Sequence, residues 1–269
     1  MKGGELPNDP RVFAVREMRG KGFMKASKSS KAEPARVAAL ERALSILSVF
    51  ESSDEPVTLA RISRTTGLYK STILRLIASF EDHGYLRRSN DGASYSLGPT
   101  AFRLGVKYKQ AFELDEAIES ALEELVQKGT ESASFHVLDR DRRLCIMRVD
   151  SNHPTLDRVA AGDRLPLDKG AAGKVLQAFS GVDVDELQTV LAEGIAISYG
   201  EVDPSCAAIS VPVFGLDHEL IGALSVSGPK ERFTDETVAA MSELLFEASR
   251  KLSGLAVAES RMRRTSLRA

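Results

Sequence analysis

The apolar residues of this chain change their period at Gly129. Before it they recur every three or four positions, the spacing that gathers them on one face of a helix. After it they alternate or run in short blocks, as strands do. A fold of one secondary-structure class is thereby excluded, and the chain reads as α+β, a helical part followed by a part built on a sheet.

In the first part, Pro34 opens a helix through Val37, Leu40, Ala43, Leu44, Leu47 and Phe50, which stops before the polar turn at Ser52 to Pro56. Thr58 is placed to cap a second, short helix ending at Gly67, where glycine takes the left-handed conformation. A third helix runs from Lys70 to His83 with Ile73, Leu76, Ile77 and Phe80 on one stripe, and Gly84 closes it. Tyr85 to Leu97 then forms two extended runs about the hairpin turn Asn90-Asp91-Gly92. Two short helices about a tight turn, a third helix and a hairpin make a winged helix-turn-helix. Gly98-Pro99 break the chain, and a long helical stripe follows from Thr100 to Lys128 through Phe102, Leu104, Ala111, Leu114, Ile118, Leu122 and Leu125.

In the second part, strands are expected at 132–138, 142–149 and 156–160, then a helix about 173–179. Strands at 207–214 and 220–227 flank a hairpin at 215–219, and a helix over 235–256 ends the fold. The chain divides accordingly into a flexible basic leader (1–32), the winged helix-turn-helix (33–98), a linker helix (99–128), a sheet domain (129–257) and a basic tail (258–269).

Charge divides along the same line. Residues 1–100 hold 16 Lys+Arg against 11 Asp+Glu, whereas the remainder holds 20 against 27. A basic front joined to an acidic back suits a protein of which one domain meets a polyanion. With 43% hydrophobic and 28% charged residues the chain has core enough for two domains. No apolar run approaches the ~20 residues of a membrane span, and the basic N-terminus lacks the apolar core of a secretory signal, so the expected location is the cytoplasm. Cys145 and Cys206 sit in apolar runs and read as reduced, small core residues. His83, His136, His153 and His218 are scattered and fit no metal or nucleophile motif. No catalytic residue, cofactor or metal site is expected.

The third helix carries the chemistry. At its N-terminus Tyr69, Lys70, Ser71 and Thr72 combine a cation, hydroxyls and backbone N–H groups suited to phosphates and base edges. Arg75, one turn on, has the fork that reads guanine, and the hairpin adds Arg87 and Arg88.

The stretches Leu40-Glu-Arg-Ala-Leu-Ser-Ile-Leu47, Leu59-Ala-Arg-Ile-Ser63, Gly67-Leu-Tyr-Lys-Ser-Thr72, Arg75-Leu-Ile77 and Gly84-Tyr-Leu-Arg-Arg88 closely resemble the DNA-binding domain of the IclR family of transcription regulators. In the second part Gly162, Leu165-Pro-Leu167, Ala172-Gly-Lys174, Gly200-Glu201, Ile209-Ser-Val-Pro-Val-Phe214 and Gly222-Ala-Leu-Ser-Val-Ser-Gly-Pro229 match in order and spacing. The sequence departs from the family pattern at Tyr69, where proline is usual, and at Asp168, where histidine is usual.

The resemblance covers roughly residues 35–255. It implies a winged helix on double-stranded operator DNA, a linker helix, and a GAF-like effector domain that dimerises and often pairs again, giving a homodimer or a dimer of dimers. The family's effector pocket falls on Asp157, Val159, Ala161, Ala171, Ala172, Ser198, Ala208, Ser225 and Ser227. Hydroxyls and the helix N-terminus near Ala171 suit a small carboxylate, a catabolic intermediate, with no lysine or arginine among these positions, whereas Asp157 and Asp168 would oppose an anion if ionised nearby and leave room for a neutral or amine-bearing ligand. The competing readings are a GAF-like signalling module that never touches DNA and a small hydrolase. The wing and basic front argue against the first, the scattered histidines against the second.

Overall fold

The computed structural model describes residues 37–51, 53, 55–90, 92–110, 115–152, 159–181, 185–215 and 218–266. The leader 1–32 lies outside them. The described residues form two compact units, 37–110 and 115–266.

The first unit runs α1 (Ala38–Leu47), β1 (Val57–Thr58), α2 (Leu59–Thr66), α3 (Lys70–Asp82), β2 (Leu86–Arg88), β3 (Ser94–Leu97) and α4 (Pro99–Gln110). Thr58 caps α2 by accepting from the Arg61 N–H at 3.3 Å, and Gly67 ends it at φ +70°. The chain then re-enters a helix at once, because Tyr69 is extended (φ −66°, ψ 140°) and its carbonyl accepts from Thr72 and Ile73. Ile73 and Ile77 of α3, Ile62 of α2, Ile46 of α1 and Leu86 and Tyr95 of the wing bury together. The wing is an antiparallel sheet ordered β1-β3-β2, with Arg87 opposite Ser96 and Arg88 opposite Tyr95. Gly98 fixes where it leaves the core. A Cβ there would lie 2.3 Å from the Gly84 carbonyl oxygen, an approach that glycine alone permits.

One expectation changes here. Helix α1 ends at Leu47, short of Phe50, and its row Val37, Leu40 and Leu44 faces solvent at 64%, 54% and 48% exposure while Ile46, Val49 and Phe50 enter the core. The stripe 100–128 is helical on both sides of residues 111–114, as α4 and as α5 (Asp115–Gln127), and residues 111–114 with Ala111 and Leu114 lie outside the described residues. None of residues 99–109 is buried, and Phe102 is 74% exposed.

The second unit continues from α5 through β4 (Ser132–Asp139), β5 (Arg142–Asp150), β6 (Arg164–Pro166), α6 (Ala171–Phe179), α7 (Gln188–Glu193), β7 (Ala196–Tyr199), β8 (Cys206–Phe214), β9 (Leu220–Pro229) and α8 (Asp235–Ser266). Its sheet is antiparallel throughout, ordered β6-β5-β4-β9-β8-β7. The chain lays down one half of the sheet outward, crosses by α6 and α7 to the far edge, and returns inward until β9 pairs with β4. Alternation gives the sheet two faces. Ala133, Phe135, Ile209, Val211, Leu224 and Val226 form an apolar face, which α8 covers with Ser249 donating to the Pro212 carbonyl at 2.5 Å. The other face lies under α6, where Ala171, Ala172, Val175 and Leu176 pack with Ala196 and Ala223.

The strand expected at 156–160 lies mostly outside the described residues, and Val159 and Ala160 are not in a strand. The short strands β6 and β7 and helix α7 are additions. The terminal helix continues to Ser266, into the segment expected to be a tail. Among the described residues no helix is long and apolar enough to cross a membrane.

Candidate functional site

Tyr69, at the entry to α3, is 84% exposed, and no side chain caps the first turn of that helix. Lys70, Ser71 and Arg75 are exposed and Thr72 half-buried, while the same helix buries Ile73 and Ile77. The sequence therefore turns one face of α3 inward and leaves its cation and hydroxyls outward. On β2, Arg87 is exposed. Arg88 is more tightly held, its Nη2 donating to Tyr95 Oη at 3.1 Å and its guanidinium 5.4 Å from the centre of that ring.

The buried set lies between α6 and the sheet. Around a cavity of about 40 Å³ stand Val159, Ala171, Ala172, Ser198, Ala208, Ser225 and Ser227, together with Ser134, His136, Arg143, Arg148, Glu201 and Asp203. Register explains the company. Across the sheet, Ser198 faces Ala208, Ala208 faces Ser227, and Ser225 faces both Ser210 and Ser134, so these side chains share one face. Arg148 lies opposite Ser134 and Cys145 opposite His136, which adds β5 to the same face. Val159 comes from the chain segment beside it.

One of the expected pocket positions, Ala161, falls elsewhere. Asp157 lies outside the described residues. Ala161 is exposed and not part of the lining, because the backbone of Gly162 and Asp163 pairs with Cys145 and the turn directs Ala161 to solvent. Asp168 is likewise absent from the lining.

The expected hydrogen-bond donors are largely engaged by the protein itself. The Ala171 N–H donates to Ser198 Oγ at 3.0 Å and the Gly170 N–H to Glu201 Oε2 at 2.9 Å. Ser225 Oγ donates to the Ile209 carbonyl at 3.0 Å, and Ser227 Oγ shares a hydrogen bond with Ser132 Oγ at 2.9 Å. A hydroxyl has one proton to give, so Ser225 as it stands has none for a carboxylate.

Positive charge comes from arginine instead, against the expectation that none lines the site. Arg143 is 4% exposed, and its Nη2 lies 3.2 Å from where a Gly170 Cβ would be, which sets the guanidinium beside the N-terminus of α6. The Arg148 side chain is 5% exposed, and its Nε donates to Asp150 at 2.8 Å. Burial, then the charges of Arg143 and Arg148, hold His136 well below the ordinary imidazole range, so its ring is neutral. Glu201 also pairs with Lys174. Burial pushes the Glu201 carboxyl up, but the Lys174 hydrogen bond, the Gly170 N–H and the Lys174 charge outweigh it, and the group titrates below the ordinary carboxylate value.

With both sets described, likeness to known proteins decides what they belong to. The model of the IclR helix-turn-helix domain matches residues 39–90, and that of the bacterial transcriptional regulator IclR C-terminal domain matches 106–185 and 184–254. The chain belongs to the IclR family. It is an IclR-type DNA-binding transcriptional regulator, and a signalling module without DNA contact is not favoured.

The HTH-type transcriptional regulator BhcR of Paracoccus denitrificans is 27% identical over 242 residues, 81% of this chain and 86% of that protein. An IclR transcriptional regulator from Alicyclobacillus acidocaldarius superposes with a TM-score of 0.71 at 23% identity, covering 82% of this chain and 100% of its own. An IclR homologue of Microbacterium hydrocarbonoxydans, complexed with 4-hydroxybenzoate, gives 0.71 at 22% identity with the same coverage. These structures share the fold: an N-terminal helix-turn-helix, then a curled antiparallel sheet with helices. The surface set thus lies on the family's helix-turn-helix and the buried set in its C-terminal domain.

Proposed function

We propose that this IclR-type regulator senses a small carboxylate, a catabolic intermediate, in the cavity under α6, and that binding alters how its winged helices hold operator DNA in the cytoplasm. The observation that carries the reading is the convergence of Arg143, Arg148 and the α6 N-terminus on one cavity. Arg148 is ion-paired with Asp150 and the carboxylates of Glu201 and Asp203 share the lining, so the guanidinium of Arg143 at the α6 N-terminus is the group best placed to take a carboxylate, whose geometry its fork matches. Val159, Ala171, Ala172 and Ala208 limit the size of the acid, and Ser198, Ser225 and Ser227 accept hydrogen bonds from its polar groups. The carboxylate in the Microbacterium homologue's complex, 4-hydroxybenzoate, is of this chemical class.

A cavity of about 40 Å³ holds little more than a water or two, far below the several hundred Å³ of typical ligand pockets. The site must therefore widen to admit an acid, so binding selects an altered conformation of the C-terminal unit. By linkage, an acid that changes operator affinity has its own affinity changed by operator to the same factor.

On the DNA side, Lys70, Ser71, Thr72 and Arg75 meet the major groove, Tyr69 stands at its edge, and Arg87 and Arg88 take flanking phosphates. One recognition helix reads few base pairs, which calls for a two-fold pair. The exposed apolar residues of α1 (Val37, Leu40, Leu44) and of α4 (Phe102, Leu104) supply the contact in the DNA-binding half.

The test is fluorescence anisotropy on the DNA upstream of the regulator's own gene, repeated with a panel of small carboxylates. At least one acid shifts the operator Kd by fivefold or more, within the range of typical allosteric couplings of about 5–150-fold. Arg143→Met removes that shift and leaves acid-free operator binding in place. An operator affinity indifferent to every acid overturns the sensor reading.

A further inference from the structure

One group in the cavity is not accounted for by an anion alone. His136 is 2% exposed and lines the cavity, with Nε2 3.0 Å from Ser134 Oγ. Its Nδ1 is buried and has no hydrogen-bond partner among the described residues. A buried ring nitrogen left in that condition is costly, and native proteins seldom retain one without a use. The ring also stands between the two cations: His136 faces Cys145 across the β4–β5 pair, with Arg143 to one side along β5 and Arg148, opposite Ser134, to the other. On strand geometry each arginine Cα is about 8 Å from that of His136, within reach of a guanidinium.

Resting on the anion-binding reading above, we infer that the effector is a hydroxy acid whose carboxylate goes to Arg143 and Arg148 and whose hydroxyl meets Nδ1 of His136, making His136 the residue that sets specificity. The chemistry narrows the class. If Ser134 Oγ accepts from Nε2–H, Nδ1 is an acceptor and needs a donor from the ligand; in the other tautomer Nδ1 is the donor and needs an acceptor. A hydroxyl serves either tautomer, whereas a carbonyl serves only the second. An ammonium group would serve the first but would stand between two guanidinium charges, so it is disfavoured beside His136. A hydroxyl-free acid can meet Nδ1 only in the second tautomer, and then only by drawing a carboxylate oxygen away from the arginines.

The experiment is calorimetric titration of the full chain with three matched pairs: lactate against propionate, 3-hydroxybutyrate against butyrate, and 4-hydroxybenzoate against benzoate. In the wild type at least one hydroxy acid binds about tenfold more tightly than its parent, the worth of one hydrogen bond to a buried group. His136→Phe binds both members of that pair with the parent's affinity, and His136→Asn, whose amide places a polar atom near the position of Nδ1, recovers part of the preference. A readout that needs no variant is the imidazole 15N spectrum, in which the Nδ1 resonance of His136 moves with the hydroxy acid and not with its parent. A preference that persists in His136→Phe, or an unmoved Nδ1, overturns the role of His136. Acids that bind wild type without hydroxyl preference, yet are lost in Arg143→Met, overturn the hydroxy-acid inference and leave the anion site standing. Acid binding indifferent to Arg143→Met, or no binding of any acid, overturns both.

Discussion

The two units hold their cations in opposite ways. Lys70, Arg75 and Arg87 stand in water above an apolar core, whereas Arg143 and Arg148 are enclosed between a helix and a sheet. In water a charge acts weakly and is screened within about 8–10 Å at physiological salt. Such charges suit a polyanion met along many phosphates. Under α6 the same guanidinium is largely desolvated, which makes each contact strong and each misfit expensive. The first unit is built to add up many weak attractions and the second to judge one small molecule.

Substitutions that remove a single guanidinium test this contrast directly. The largest effect is expected where the charge is most enclosed. Arg143→Met should weaken the best-binding small carboxylate by about a hundredfold, the upper range for a hydrogen-bonded charge, and leave operator binding intact. Calorimetry with a thermal melt of the same sample separates lost binding from lost folding. A loss under threefold in a folded variant would show that the buried cation is structural, and the contrast would fail at its deeper end.

On the surface the effects divide by role. Arg75→Ala should cost on the order of 1–3 kcal/mol at the native operator and relax preference at one base pair, if the side chain reads a guanine edge. Arg87→Ala, a phosphate contact, should weaken all duplexes alike and reduce the salt slope by about one unit. A salt titration on native and scrambled operators distinguishes them. If both variants behave alike, direct readout lies elsewhere on α3.

These two units also differ in how far the sequence discloses them. The winged helix is legible because its determinants are local. Thr58, Gly67 and Gly84 punctuate the helices, Ile73 and Ile77 mark the buried stripe of α3, and the polar residues left over are the exposed ones. The same logic misassigns α1, whose Val37, Leu40 and Leu44 have helical spacing yet face outward. Periodicity records that a face is apolar and not what covers it.

The cavity depends on register. Arg143 and Arg148 are five residues apart, and strict alternation sends them to opposite faces. The pairing of β4 with β5 shifts between Phe135 and His136, so that Met147 faces Phe135, Cys145 faces His136, and Ile146 is skipped. This bulge re-phases the strand and returns both arginines to the α6 side. His136 and Ser134 share that face by simple alternation. An isolated histidine in an apolar run nevertheless reads as core until its neighbours are known. Glu201 was visible within its Gly200-Glu201 motif, but a long-range contact with Gly170 gives it a role.

The smallest expected effect concerns that contact, and it examines the boundary between the two kinds of charge. Lys174 and Glu201 are each a little under a third exposed, neither surface nor core. The carboxyl titrates below its ordinary value in the folded protein, so the pair contributes stability that is fully present above the unfolded value of about 4.3 and is lost as pH falls through the folded value. Glu201→Gln removes the titrating group but keeps an oxygen that can accept from the Gly170 N–H. Its stability near pH 7 should therefore fall by about 1 kcal/mol or less, the worth of a partly exposed ion pair. Its acid limb should be shallower than that of wild type, and the two proteins should converge below the folded value. Urea midpoints measured from acidic to neutral pH decide the matter. A constant difference at every pH would assign the effect to packing, whereas a difference of several kcal/mol at pH 7 would place Glu201 among the enclosed charges with Arg143.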